Sequence, residues 1–268
     1  MEWIEPTVIG LIAGFFGILV GSVVNLLVFR ARLSGEFAEV VDRDLCVAPT
    51  MSADLVPFAS FFAIKDRCTG SKRVIEWQYP AFELVMGLIF AAFALRATMG
   101  IGYPMFVETG EWWILALRDL SISVFLAIIF LYDLKFSVIL DRFSLPPIIL
   151  AILFNIWLGA DMSVLLIAGL AYGAFFGVQY LLTKGEWVGG GDIRIGLLIG
   201  LLLGLEVGAV ALLLAYIFAS LFGVVYVALS KKTLTGHMPF GTFLAVGMWV
   251  AMIAGEDILN WYLQLLGV

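Results

Sequence analysis

Charge is what this sequence has least of. Only 13% of its 268 residues are charged, against 63% hydrophobic. A soluble domain carries about 25% charged residues, so a water-surrounded globule is excluded and a polytopic membrane protein is indicated. Histidine is nearly absent. His237 is the only one; it falls in a loop, reads as a solvated side chain, and leaves no Ser–His or Cys–His pair from which to build a nucleophile. The two cysteines, Cys46 and Cys68, cannot make a disulfide framework. Without a nearby histidine they also fall short of the four ligands of a structural zinc, so no metal is expected. The formal charge of −6 comes with no basic patch beyond loop clusters, and no nucleic-acid partner is expected. The segment Met1-Glu2-Trp3-Ile4-Glu5-Pro6 lacks the basic stretch and cleavage site of a signal peptide, so the first apolar segment is expected to be retained.

Long apolar runs are abundant instead. The 22 Phe and 28 Gly suit closely packed transmembrane helices, where small residues let backbones approach. A span needs about 20 mostly apolar residues, and eight candidates read off the chain: roughly 8–29, 80–99, 113–132, 145–160, 162–182, 193–205, 207–229 and 239–255. The stretch 193–230 is about twice a bilayer's width, so a tight reversal is expected between Gly204 and Gly208. The fold expected is therefore all-α and polytopic, with about eight spans. Its divisions are a first helix over 1–30, a larger loop or subdomain over 31–79, and a seven-helix membrane domain over 80–268.

The cations orient it. Arg30, Arg32, Arg43, Lys65, Arg67, Lys72 and Arg73 belong to or flank the first long loop, and Lys135, Arg142, Lys184, Arg194, Lys231 and Lys232 to alternate later connections. Only Arg96 and Arg118 fall elsewhere, and the other connections carry Glu108, Glu111, Asp161 and Glu206. Because cytoplasmic loops carry the excess of Lys and Arg, the N-terminus is expected outside and the 31–79 loop inside. A disulfide between Cys46 and Cys68 is then not expected either.

Intramembrane acids are functional candidates by default, since a carboxylate near hydrocarbon costs several kcal/mol unless paired or watered. Arg118 and Asp119 lie inside the third span; as neighbours on one helix they point about 100° apart, so each is expected to find its partner elsewhere. Asp133 and Asp192 stand out differently. Each lies at a cytoplasmic helix end, Asp133 in Leu131-Tyr132-Asp133-Leu134-Lys135 and Asp192 behind Gly189-Gly190-Gly191. The glycines permit positive φ and close approach of a peptide. Alone, Asp192 reads equally well as a cap for the helix beginning Ile193-Arg194-Ile195, and Asp133 as an interfacial acid. As a pair they are specific: two carboxylates within hydrogen-bonding distance share one proton, so one draws a proton from water while the other polarises a carbonyl. That is the chemistry of an aspartic protease, needing neither nucleophilic side chain nor metal. Asp141 competes with Asp133 for the first position, and could equally cap span four or pair with Arg142.

These blocks resemble the type IV prepilin peptidase family of membrane aspartyl proteases. Gly21-Ser22-Val23-Val24-Asn25 with Arg30 resembles its G-S-F-x-N-x-x-x-x-R stretch, and Tyr79-Pro80-Ala81-Phe82-Glu83-Leu84 resembles R-Y-P-x-x-E-L. Asp133 through Asp141 resembles D-x-x-x-x-x-I-P-D, Gly189 through Arg194 resembles G-x-G-D-x-K, and Pro239-Phe240-Gly241-Thr242-Phe243-Leu244 resembles P-F-G-P-F-L. Five ordered blocks cover nearly the whole chain.

The resemblance implies Asp133 and Asp192 as the catalytic acids. It places Gly189, Gly190, Gly191, Arg194, Asp141, Asn25, Glu83, Pro239, Phe240 and Gly241 around the site. It implies a cytoplasmic-membrane enzyme acting at the cytoplasmic face, removing the short basic leader from a prepilin or pseudopilin whose apolar helix lies in the bilayer. Many members also N-methylate the product with S-adenosylmethionine; that cofactor is implied only if the second activity is retained, since this chain lacks the two C-x-x-C pairs of the loop. Leu140 stands for the family's Pro and Arg194 for its Lys.

Two other readings remain. A G-x-G-D protease of the presenilin or signal-peptide-peptidase type shares Tyr132-Asp133, but its P-A-L motif is replaced here by Pro239-Phe240-Gly241 and its acids lie deeper in their spans. A transporter or assembly scaffold would use the acids as coupling sites, but such proteins often carry inverted repeats and the sequence shows none.

Overall fold

The structure is a computed structural model that describes residues 4–34, 78–100, 112–186, 188–230 and 239–267. Cys46, Cys68, His237 and most of the 31–79 loop lie outside the described residues. Of those described, 92% are helical and none is in a strand. The helices are α1 (Ile4–Ser34), α2 (Gln78–Met99), α3 (Trp112–Phe136), α4 (Asp141–Trp157), α5 (Met162–Thr183), α6 (Gly190–Ser230) and α7 (Phe240–Leu266). Six of them, all but α4, are long and apolar enough to cross a membrane. Their outward faces are apolar, with Leu181, Leu182 and Leu229 each at least three-quarters exposed. A helix satisfies its backbone internally, which is what lets such faces meet lipid. The chain is a multi-pass, all-α membrane protein.

The expected count of eight spans is not met, and two local features explain the difference. The fourth expected span, 145–160, is the 17-residue α4, which carries Pro146 and Pro147. At 1.5 Å per residue it is about 26 Å long, at the lower end of the roughly 17–25 residues that cross a bilayer. The sixth and seventh expected spans are the two arms of α6, which break at Gly204, within the stretch where the reversal was expected; there φ is 74° and ψ is −169°. That conformation is essentially restricted to glycine. The arms fold back on each other: a Cβ at Gly208 would lie 3.2 Å from Ile199 Cγ2 and 2.7 Å from the Tyr172 ring. In a continuous helix, nine residues would separate Ile199 from Gly208 by about 13 Å. A helix end leaves carbonyls without helical donors, and side chains from neighbouring helices serve two of them here. Asn155 Nδ2 donates to the Leu201 carbonyl at 2.7 Å, and the Tyr172 hydroxyl donates to that of Leu205.

The chain divides into two compact units, Met1–Leu95 and Arg96–Val268. In the first, α1 meets α2 at glycine-permitted distances. A Cβ at Gly17 would lie 2.7 Å from Phe90 Cβ, and one at Gly21 would lie 2.9 Å from Glu83 Cα. In the second unit α6 runs against both α5 and α7, α3 packs on α4 and α7, and α4 also touches α6.

The second unit buries a charged cluster. Arg118 and Asp119 were expected to pair apart from one another; instead Arg118 Nε donates to Asp119 Oδ1 at 2.9 Å. The long guanidinium folds back across the angle between the two positions. The cluster then spreads: Arg96 Nη1 reaches Asp119 Oδ2 at 3.2 Å, and Arg118 Nη1 donates to Asn155 Oδ1 at 2.9 Å. Asn155 thereby links the charges to the α6 reversal.

Candidate active site

Asp133 lies three residues before the end of α3, and Asp192 is the third residue of α6. Both are helix-end positions, and both side chains are buried, at 3% and 5% exposure. The chain reaches each by a sharp local feature. After α3, Ser137 adopts positive φ (52°), and its N–H donates to the Asp133 carbonyl at 2.7 Å. Before α6, Lys184 ends α5 in the left-handed conformation.

None of Gly189, Gly190 and Gly191 has positive φ, so the conformational freedom expected of that turn is not used in this state. What Gly191 supplies is space, because a Cβ there would meet Ile139 Cβ at 2.5 Å. Gly190 is exposed and faces nothing within 4 Å.

Asp192 forms a reciprocal cap at the start of α6. Its Oδ2 accepts from the Gly189 N–H at 2.9 Å, while its own N–H donates to the Gly189 carbonyl at 3.1 Å. This is the back-reaching half of a capping box, so the helix-cap role is real. It occupies one carboxylate oxygen only. Oδ1 of Asp192 is buried with no hydrogen-bond partner, where an unsatisfied acceptor is costly.

Asp133 makes a cap of a different kind. The N-cap of α7 is Pro239, which offers no side-chain hydrogen bond. The carboxylate arrives from α3 instead: Asp133 Oδ2 accepts from the Thr242 N–H at 2.7 Å and from Thr242 Oγ1 at 3.1 Å. A helix N-terminus presents free N–H groups and a positive dipole end to an anion.

Ile139 joins the two acids' surroundings. Its side chain lies against Gly191 and also against Gly241, where a Cβ would be 2.7 Å from Ile139 Cδ1 and 3.0 Å from Asp133 Oδ2. Asp133 is near enough for its charge to act on Asp192, which in turn acts on Tyr216. Phe240 lies between Tyr216 and Phe176, with ring centroids 5.1 and 6.1 Å away and the rings tilted.

Of the residues expected around the site, the second unit thus gathers Asp133, Asp192, Gly189, Gly191, Phe240 and Gly241. Arg194 and Asp141 are there too, as an ion pair, and Arg194 Nη2 donates to the Ile139 carbonyl at 3.4 Å. Asp141 therefore pairs neither with Arg142, which lies over the Phe143 ring, nor as a side-chain cap of α4. Asn25 and Glu83 belong to the first unit, where both are buried. Thr242, Ile139 and Tyr216 were not singled out from sequence. Thr242 carried a signal, since it stands where the resembling block P-F-G-P-F-L has a second proline.

Comparison with known proteins agrees with this architecture. The family model described as "Bacterial Peptidase A24 N-terminal domain" matches residues 15–97, and that of the "Type IV leader peptidase family" matches residues 120–227. The chain is similar to the prepilin leader peptidase/N-methyltransferase of Aeromonas salmonicida (strain A449), with 29% identity over 82% of this chain and 72% of that protein. It is 26% identical to the protein of the same name from Pseudomonas putida, over 98% of this chain and 96% of the relative. The Bacillus subtilis (strain 168) protein of that name is 28% identical, over 82% and 84% respectively. No solved structure matches the chain. With both halves of its length matched in order, and with buried acids at the ends of α3 and α6, the chain belongs to the type IV prepilin peptidase family.

Proposed function

We propose that this protein is a membrane aspartic endopeptidase that removes the leader from a prepilin or pseudopilin, with Asp133 and Asp192 as its catalytic pair. The observation that carries this reading is the burial of two carboxylates at the ends of different helices, with Ile139 packed between Gly191, next to Asp192, and Gly241, beside Asp133, and with an oxygen of Asp192 left unpartnered. The pair shares one proton. The ionised carboxylate takes a proton from water as the water oxygen attacks the scissile carbonyl carbon. The neutral acid gives its proton to the carbonyl oxygen. When the tetrahedral adduct collapses, the C–N bond breaks, the amine leaves with the proton taken from water, and the carbonyl oxygen's proton returns to its donor.

The placement of the acids favours this family over the presenilin-type alternative, whose acids lie deeper within their spans. The excess of Lys and Arg in alternate connections supports an N-terminus outside and acids at the cytoplasmic face of the inner membrane. There a short basic leader would be cut from an apolar helix still held in the bilayer. In this account Asp141 holds Arg194 beside Ile139 and is not one of the pair.

The relatives' name includes an N-methyltransferase, and S-adenosylmethionine would supply the methyl group for such a step. No described residue is assigned to that cofactor, and no step is derived through it. Purified protein incubated with a prepilin in detergent, followed by mass analysis of the product's N-terminus, tests both activities. Loss of the leader alone supports the peptidase, added mass of one methyl group with S-adenosylmethionine supports both, and an intact prepilin contradicts the proposal.

A further inference from the structure

Hydrogen bonding at the two acids is unequal, and Thr242 supplies most of the inequality. Asp133 Oδ2 receives two donors from Thr242, the backbone N–H at 2.7 Å and the hydroxyl at 3.1 Å. Donors to a carboxylate favour its charged form, and besides these two the Gly241 N–H also donates to Asp133. Asp192 receives a single donor, on Oδ2 from Gly189, and its Oδ1 is buried with none. Negative charge on a buried oxygen without a donor costs more than a neutral acid there, so the proton sits best on Asp192. Thr242 is itself fixed. It is 4% exposed, its hydroxyl also lies 3.4 Å from the Phe130 carbonyl one helical turn before Asp133, and its N–H is one of the free donors at the start of α7. The block that this segment resembles has proline at the position, and proline could supply neither donor.

We infer that Thr242 is a positioning residue that holds Asp133 as the anionic member of the pair, leaving Asp192 to carry the shared proton. The inference rests on the Asp133–Asp192 reading of the site and adds a direction to it. Asp133 takes the proton of the attacking water, and Asp192 Oδ1–H protonates the scissile carbonyl oxygen. On collapse the amine leaves with the proton from Asp133, and Asp192 recovers the one it gave, so both acids return to their starting states.

The test compares Thr242→Val, Thr242→Ala and Thr242→Ser for prepilin cleavage, measuring kcat and KM separately at equal amounts of folded, monodisperse protein. Val and Ala remove the hydroxyl and keep the backbone N–H; Ser keeps both. A hydrogen bond to a charged group predicts a kcat lower by on the order of ten-fold for Val and Ala, with KM unchanged and Ser close to the parent. Should Val fail to fold, the Ala and Ser variants decide the matter. The inference is overturned if hydroxyl-free variants keep the parental kcat, if Ser falls with them, or if the loss appears in KM. Asp133→Asn in the same series separates the two levels: its activity would remove the pair itself, whereas its inactivity beside an unaffected Thr242→Val removes only the role of Thr242.

Discussion

Substituting Gly191 with alanine is the most sensitive steric test of the site. A Cβ at this position would lie 2.5 Å from Ile139 Cβ and 3.0 Å from Ile139 Cδ1. Ordinary contact between such atoms begins near 3.4 Å, so one side must retreat by about 1 Å. Rotation of the Ile139 side chain does not relieve this, because the obstructing Cβ is fixed to the backbone. Either the 137–140 loop or the first turn of α6 has to move, and that first turn carries Asp192. Overpacking of this kind costs about 1–3 kcal/mol of stability, while misplacing a catalytic group by 1 Å costs on the order of 10²-fold in rate. Gly190→Ala is the matched control, since nothing lies within 4 Å of that position. The assay is a prepilin cleavage time course at equal folded protein. Gly191→Ala should lose about two orders of magnitude and Gly190→Ala should run near the parental rate. Equal activity of the two would refute the packing argument and leave Asp192 positioned by something other than the Gly191–Ile139 contact.

Three further outcomes follow from the structure. Asp119→Asn removes the carboxylate shared by Arg96 and Arg118 and should cost about 3–5 kcal/mol, read as a fall in apparent melting temperature in detergent. Because Asp119 is fourteen residues before Asp133 on α3, about 21 Å along the axis, turnover per folded molecule should change little; a large loss would show the cluster reaching the site. Gly204→Ala forces a side chain into φ 74°, ψ −169° and should destabilise by about 1–3 kcal/mol, and an unchanged melting temperature would mean that α6 does not reverse there. Asp141→Asn loses the ion pair with Arg194 but leaves both candidate acids in place, so cleavage should fall no more than several-fold, as suits a pair whose carboxylate is largely exposed. Complete loss would move Asp141 into the catalytic pair.

Much of the fold was legible because lipid imposes a simple grammar. Long apolar runs, cation asymmetry and isolated acids are all local in sequence, and they located six of the helices and both acids at helix ends. Where sequence reasoning missed, the deciding quantity was a contact between distant residues. The count of eight takes every apolar run as an independent span, including runs as short as 193–205. The glycines announce the reversal between the arms of α6, but its anchoring by Asn155 and Tyr172, which reach it from other helices, leaves no local mark. Arg118 and Asp119 were assigned separate partners from their angular spacing, a rule for Cβ directions that a long, flexible guanidinium evades. The glycine turn was read for its conformational freedom, whereas the need at Gly191 is room for Ile139, fifty-two residues earlier. Thr242 was passed over because its meaning lies in Asp133, 109 residues away.

The central claim is that two carboxylates, on the ends of α3 and α6, do the chemistry together. Asp133→Asn and Asp192→Asn keep the volume of each side chain and most of its hydrogen bonding while removing its acid–base function. Each single variant, inserted and folded like the parent, should be incubated with a prepilin and the N-terminal mass of the product followed over time. The account predicts that neither variant releases the leader. Leader removal at the parental rate by either one would contradict it.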